Sequence, residues 1–386
     1  MPYCTVAGDG DGSLSAGESE IRIFYRTYGR GPIKVLLIIG LAGTHDSWGP
    51  QIRGLAGTDI PNDEKSTVDD EDSGNAGGVE VCAFDNRGMG RSSVPTKRSE
   101  YTTMIMAKDA IALMDHLGGM IACKLAALVP DRILSLALLN VTGGGFQCLP
   151  KLDRLTLSVA VRFLLAKTPQ ERAAVDLDTH YSQDYLEERV GQSTRREILY
   201  QQYVNGISKT GMQSNHGFEG QINACWTHKM TWEETEQIRS AGFLVSVIHG
   251  RQDIVAQMSH ARRLAKQLYP FARMVELHGG HLVSHERTEE VNEALLELIK
   301  ASESKISPHD WTNLPAKKCS GWMGTWDMMA TTKSITSSSS LASLYKVLER
   351  LNRCLIDIFG IVVIVFEFLR RVVGRLKPVR VRATLT

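Results

Sequence analysis

Residues 243–281 read FLVSVIHGRQDIVAQMSHARRLAKQLYPFARMVELHGGH. Phe243 to Ile248 is a short, continuous, β-branched apolar run, the pattern of a parallel strand buried on both faces. It runs straight into His249-Gly250-Arg251-Gln252-Asp253, so Asp253 falls on the loop at the strand's carboxyl end, where open α/β sheets build their sites. A helix is expected from about Gln257 to Tyr269, then a second short strand, Ala272 to Leu277, that ends in His278-Gly279-Gly280-His281, and another helix from about Thr288. Two consecutive strand ends thus present a carboxylate and then an imidazole. An imidazole works as a general base only when its tautomer is fixed and its developing charge is offset, and a buried carboxylate does both. His281 is the expected base. His278 still belongs to the strand end, and His285 falls about one turn into the next segment. The spacing of His281 and His285 would suit two zinc ligands on a helix, but no H-E-x-x-H pattern accompanies it, and no metal is expected.

Working outward, Ile33 to Ile39 is a third buried strand, followed by the flexible turn Gly40-Leu41-Ala42-Gly43-Thr44-His45-Asp46-Ser47-Trp48. Val79 to Phe84 is a fourth, ending in Asp85-Asn86-Arg87-Gly88-Met89-Gly90-Arg91-Ser92. That turn is expected to hold its loop by hydrogen bonds and not to react. It does not form a G-x-G-x-x-G phosphate loop, so no dinucleotide cofactor, and no cofactor of any kind, is expected.

Together, IIGLAGTHDSW, AFDNRGMGRSS, HGRQDIVAQ and HGGHLVSHE resemble the α/β-hydrolase family, its plant and bacterial esterase-like branch in particular, over roughly Ser19 to Lys300. The resemblance implies a mostly parallel sheet flanked by helices and hydrolysis of an ester or related acyl bond. It assigns His281 as base and Asp253 as its orienting acid, in the family's chain order. It also assigns Gly40 and Leu41 to an oxyanion loop, where backbone N–H groups hold the developing negative charge. Ile39 stands where many members carry His.

The large departure lies between Leu117 and Met120. Tyr101 to Leu117 reads as the helix before the nucleophile strand, Met120 to Leu128 as the helix after the nucleophile turn, and Arg132 to Val141 as the following strand. In the family a central strand and a G-x-S-x-G turn, about a dozen residues, lie between those helices. Here only Gly118 and Gly119 intervene. Ser13-Leu14-Ser15-Ala16-Gly17 lacks the first glycine and follows no strand; Ser246 lies within a strand and Ser284 beyond the base. Losing about four buried side chains at ~1.5–3 kcal/mol each costs on the order of 10 kcal/mol, comparable with the whole stability of an ordinary domain. As written, the chain is expected to be inactive. The alternative is a non-catalytic, hydrolase-like protein that binds a ligand or associates with a membrane.

At 386 residues and 43% hydrophobic content, one α/β domain of about 250 to 280 residues with appendages fits better than two equal domains. A formal charge of +1 without an extended basic face gives no reason to invoke nucleic acid. Seven scattered cysteines without a C-x-x-C pair, and an N-terminus without an apolar core, point to a reducing, cytoplasmic setting. Residues 1–18 read as a disordered tail. The core runs 19–146 with an acidic, solvated loop at 58–78, and resumes at 241–300 after a helical cap at 147–240. Tyr181, Tyr185, Tyr200, Tyr203, Phe218, Trp226 and Trp232 of the cap either line a pocket for a small apolar acyl substrate or form plain core.

Residues 301–340 read as a flexible linker, and 341–386 as an apolar, basic C-terminal helix. From Leu355 to Leu369 this helix would reach only ~22 Å, short of the ~30 Å hydrocarbon core. With basic residues continuing to Arg382, a helix lying on an anionic membrane surface is favoured over a span, the other alternative being a helix that packs on the hydrolase domain.

Overall fold

Apolar runs that can be covered on both faces become the strands of two half-sheets. The computed structural model describes residues 2–6, 20–64, 78–117, 122–141, 144–148, 150–151, 153–210 and 214–314. The first half-sheet has the order β1-β2-β4-β3, from β1 (Tyr3–Val6), β2 (Ile21–Tyr28), β3 (Ile33–Ile38) and β4 (Val79–Phe84). β3 and β4 are parallel, in register from Ile33 opposite Val79 to Ile38 opposite Phe84, while β2 and β1 add antiparallel outside them. The second has the order β5-β8-β9, all parallel, from β5 (Ser135–Leu139), β8 (Leu244–Gly250) and β9 (Ala272–Leu277). Between them in sequence, β6 (Arg189–Val190) and β7 (Ser193–Thr194) form a separate two-residue ribbon.

Helices cover both faces. On one side α1 (Gly49–Ala56) and α12 (Thr288–Glu303) bury Ile52, Leu55, Val291 and Leu295 against Leu37, Val81, Ala83 and Ile248. On the other, α2 (Thr103–Leu117), α3 (Ala122–Leu128) and α10 (Met258–Gln267) bury Leu113, Leu125 and Leu264 against Leu36, Phe84, Leu136, Leu138 and Val247. The cap contributes α4 (Arg154–Leu165), α5 (Pro169–His180), α6 (Gln183–Glu187), α7 (Arg195–Thr210) and α8 (Asn215–Thr227). α9 (Trp232–Ala241), within the expected cap boundary, instead returns to the core, where Ile238 is buried with the α3 residues.

The half-sheets meet where the central strand is expected. Among the described residues β3 has only β4 as a ladder partner, and β5 only β8. β8 is buried at every position, whereas β3 and β5 leave Val35, Ile38, Ala137 and Leu139 only partly covered. Burial therefore falls toward the middle, the reverse of an unbroken parallel sheet. α2 ends at Leu117 and α3 begins at Ala122; residues 118–121 lie outside the described residues. Four residues reach ~14 Å at most, too little for a strand and a sharp turn.

Two expected boundaries are corrected. The start of the N-terminal tail is strand β1, because Cys4 and Val6 alternate inward and are buried against the helices. The start of the linker is folded: α12 continues to Glu303, and α13 (Pro308–Asn313), capped by the Ser307 hydroxyl, buries Trp311, whose indole N–H donates to the Val245 carbonyl at 2.9 Å. Residues 65–77 of the acidic loop, the decoy Ser13–Gly17, and everything after 314, including the Leu355–Arg382 segment, lie outside the described residues. Among the described residues no helix is long and apolar enough to cross a membrane.

Candidate active site

Asp253 and His281 are brought together at the carboxyl ends of β8 and β9. The His281 Nδ1 is 2.9 Å from the Asp253 Oδ2. A carboxylate can only accept, so Nδ1 carries the proton and Nε2 is the basic nitrogen. Three further donors hold the carboxylate: the Asn140 side-chain amide at 2.6 Å on Oδ2, and the backbone N–H groups of Val255 and Ala256, each at 2.8 Å, on Oδ1. Burial pushes the Asp253 pKa up, but the charge of His281 and these hydrogen bonds outweigh it and hold the carboxyl below its usual range. For His281 burial acts downward and the Asp253 charge and hydrogen bond act upward, leaving it raised above the ordinary imidazole value. The His281 side chain stays 27% exposed.

The rivals are engaged elsewhere. His278 is on the surface, 3.2 Å from Asp184. His285 donates from Nε2 to the Ser47 carbonyl at 2.7 Å, and burial lowers its pKa. His249 is fully buried and donates to the Ala256 carbonyl at 2.9 Å, its distance to Asp253 being 3.6 Å.

The loop carrying His281 is pinned by groups that sequence reasoning missed. The Glu286 carboxylate, on α11 (Val283–Glu286), accepts from the Gly280 N–H at 2.8 Å and from the Ser182 N–H and hydroxyl at 2.7 and 2.6 Å, tying the loop to the cap. A Cβ on Gly250 would stand 2.2 Å from the Gly280 carbonyl oxygen, so glycine is what lets the two loops touch. Asn140, at φ 47° just past β5, was equally missed; its signal was a short amide at the end of an expected strand. His180 stacks on His281 with ring centroids 6.1 Å apart, and burial first, then the His281 charge, lowers its pKa to about 3.

Gly40 and Leu41 form a separate turn after β3. The Asn86 amide donates to the Ile39 carbonyl at 2.7 Å, and the Gln221 side chain of α8 accepts from the Ala42 N–H at 3.0 Å. Ala42 has φ 62° and Leu41 is exposed. The Asp85–Ser92 turn is held by hydrogen bonds within itself and to the elements beside it. Asp85 accepts from the His45 and Arg91 N–H groups at 2.8 and 3.0 Å, and Arg87 grips Asp109 through a buried fork at 2.6 and 2.5 Å.

In the cap, Tyr181, Tyr185, Tyr200 and Tyr203 pack around Leu177, Leu186 and Leu282. Trp226 and Trp232 are exposed. Among the described residues no group of three His, Cys, Asp or Glu is placed to hold a metal ion.

A family model described as the alpha/beta hydrolase fold matches residues 34–288 of the chain. The chain belongs to the α/β-hydrolase family. Solved structures agree on the fold of this hydrolase-family chain. It is similar to the enol-lactonase from Burkholderia xenovorans LB400, at 21% identity and TM-score 0.54, covering 78% of this chain and 100% of that one. A thermophilic esterase from Thermogutta terrifontis matches at 18% identity and TM-score 0.53, over 78% and 99% of the two chains. A bromoperoxidase from Bacillus anthracis matches at 17% identity and TM-score 0.53, over 78% and 100%.

Proposed function

We propose that this chain is an acyl-ester hydrolase scaffold that keeps the acid and base of its parent chemistry and lacks the nucleophile, and is therefore inactive in the triad-dependent reaction. In the parent reaction the nucleophile attacks the acyl carbon while His281 Nε2 takes its proton. Asp253 holds the imidazole in the Nδ1–H tautomer and offsets its positive charge, and backbone N–H groups at Leu41 and after the nucleophile hold the oxyanion. The observation that carries the reading is the four-residue step from α2 to α3, with β3 and β5 each paired on one side only among the described residues. His281 is then an oriented base without a nucleophile hydroxyl to deprotonate, and the second oxyanion donor is lost with the nucleophile. The ligand class that fits this reading is a small apolar acyl compound, and the setting is cytoplasmic, with the basic C-terminal segment Leu355–Arg382 attaching the chain to membrane surfaces.

Purified chain given an activated short-chain ester and a serine-directed fluorophosphonate should show neither triad-level turnover nor labelling. Stoichiometric labelling of one serine, abolished by His281→Ala, would overturn the proposal.

A further inference from the structure

The cap helix α4 has apolar residues on both of its faces. Val159 and the buried Thr156 point inward with Phe163, which stacks on Phe218 of α8 at 6.1 Å. On the opposite side Leu157, Val161 and Leu165, at positions i, i+4 and i+8, form one stripe and are 50%, 49% and 63% exposed. A surface helix ordinarily turns charged and polar residues outward, and an apolar outer stripe marks a surface that something covers. α8, packed beside α4 through the Phe163–Phe218 stack, adds exposed Ile222 and Trp226.

Charge identifies the cover. From Lys151 to Arg172 the sequence KLDRLTLSVAVRFLLAKTPQER carries five basic residues, Lys151, Arg154, Arg162, Lys167 and Arg172, against two acidic ones, the helix N-cap Asp153 and Glu171. Arg162 is held by Asp178 and Arg172 by Asp176, each at 2.8 Å, while Lys151, Arg154 and Lys167 are exposed. A two-fold pairing of this face with a second copy would set like charges against each other. An apolar stripe flanked by cations fits an anionic lipid surface, with the side chains at the acyl boundary and the ammonium and guanidinium groups among the headgroups.

We propose that α4 is a membrane-docking element, laying Leu157, Val161 and Leu165 into the interface of an anionic bilayer independently of the C-terminal segment. The test is hydrogen exchange on the full chain, alone and with vesicles of phosphatidylcholine or of phosphatidylcholine with phosphatidylserine. Amides of 154–165 should exchange at least about threefold more slowly with the phosphatidylserine vesicles and unchanged with phosphatidylcholine alone. The full-chain variant Leu157→Ser/Val161→Ser/Leu165→Ser, altered only at exposed positions, should lose that protection and bind the anionic vesicles about tenfold more weakly. Exchange of 154–165 that is unaffected by vesicles, even when the chain binds them, would overturn the proposal. So would protection that rises with protein concentration without lipid, which would mark a self-interface.

Discussion

The two sides of the central gap differ in how far they depend on what is absent. The hydrogen bonds that hold the acid and the loop of the base come from their own side: Asn140 follows β5, Val255 and Ala256 follow β8, and Gly280 and Glu286 follow β9, with Ser182 reaching in from the cap. Under the proposed function the nucleophile and the oxyanion donor after it would, by contrast, have needed a strand between β3 and β5, and four residues separate α2 from α3. A two-residue constellation on adjacent loops can outlast the loss of the third member, because its geometry is set by local hydrogen bonds. The attacking group cannot be replaced in that way.

The most direct way to break this contrast is to restore the missing side. Inserting a strand and a G-x-S-x-G turn, about a dozen residues, between Leu117 and Met120 should raise ester hydrolysis by at least ~10³-fold, an increase that His281→Ala removes. If the pair were poorly placed, the inserted serine would stay unlabelled by fluorophosphonate.

A second test compares the two turns by stability. Asp109→Ala strips the buried Arg87 of its fork and should cost about 3–5 kcal/mol in urea denaturation. Asp253→Asn, which leaves a partly exposed imidazole able to go neutral, should cost about 1–3 kcal/mol.

The pH dependence sharpens the same point. His281, raised in the fold, contributes stability in full below its unfolded value of about 6.5 and loses it as pH rises through its folded pKa. Asp253, depressed, contributes above about 3.8 and loses it as pH falls. The pair should therefore stabilise most between those limits. Imidazole NMR should place the His281 midpoint above 6.5 in the native chain and lower in Asp253→Asn, where burial acts without a counter-charge. The smallest effect should come from Asn140→Ala, which removes one of four donors to Asp253 and leaves alanine at positive φ, a loss of about 1–2 kcal/mol with the His281 midpoint displaced less than by Asp253→Asn.

Much of this was legible because buried parallel strands are largely apolar runs: β8, β3 and β4 stand out for that reason, and β9 (ARMVEL), which carries Arg273 and Glu276, by its place before the His-Gly-Gly-His turn. β1 was not, being four residues ahead of a polar stretch and buried on one face only. α13 was hidden in a segment whose composition is polar, since one tryptophan, Trp311, supplies its buried anchor. At the site, Asp253 and His281 announce themselves by glycines and strand ends, whereas Asn140, His180 and Glu286 reach the pair through tertiary packing that local pattern does not encode.

The division of the strands has a consequence for how the chain opens and closes. All four strands of the first half-sheet come from residues 3–84, and the three of the second from 135–277, so each is assembled from its own stretch of polypeptide. In the described residues no backbone ladder joins β3 to β5, and the two half-sheets share the apolar layers on either face, Leu36, Leu136 and Leu138 in one and Leu37 and Ile248 in the other. Hydrogen-bond ladders impose register, and greasy contacts do not. Parting the two ladders would therefore break no strand hydrogen bonds among the described residues, but it would break the packing of α1 and α12 and the Gln51–Ser284 and His285–Ser47 bonds, while the imidazole and carboxylate, both carried on the second ladder, stay together.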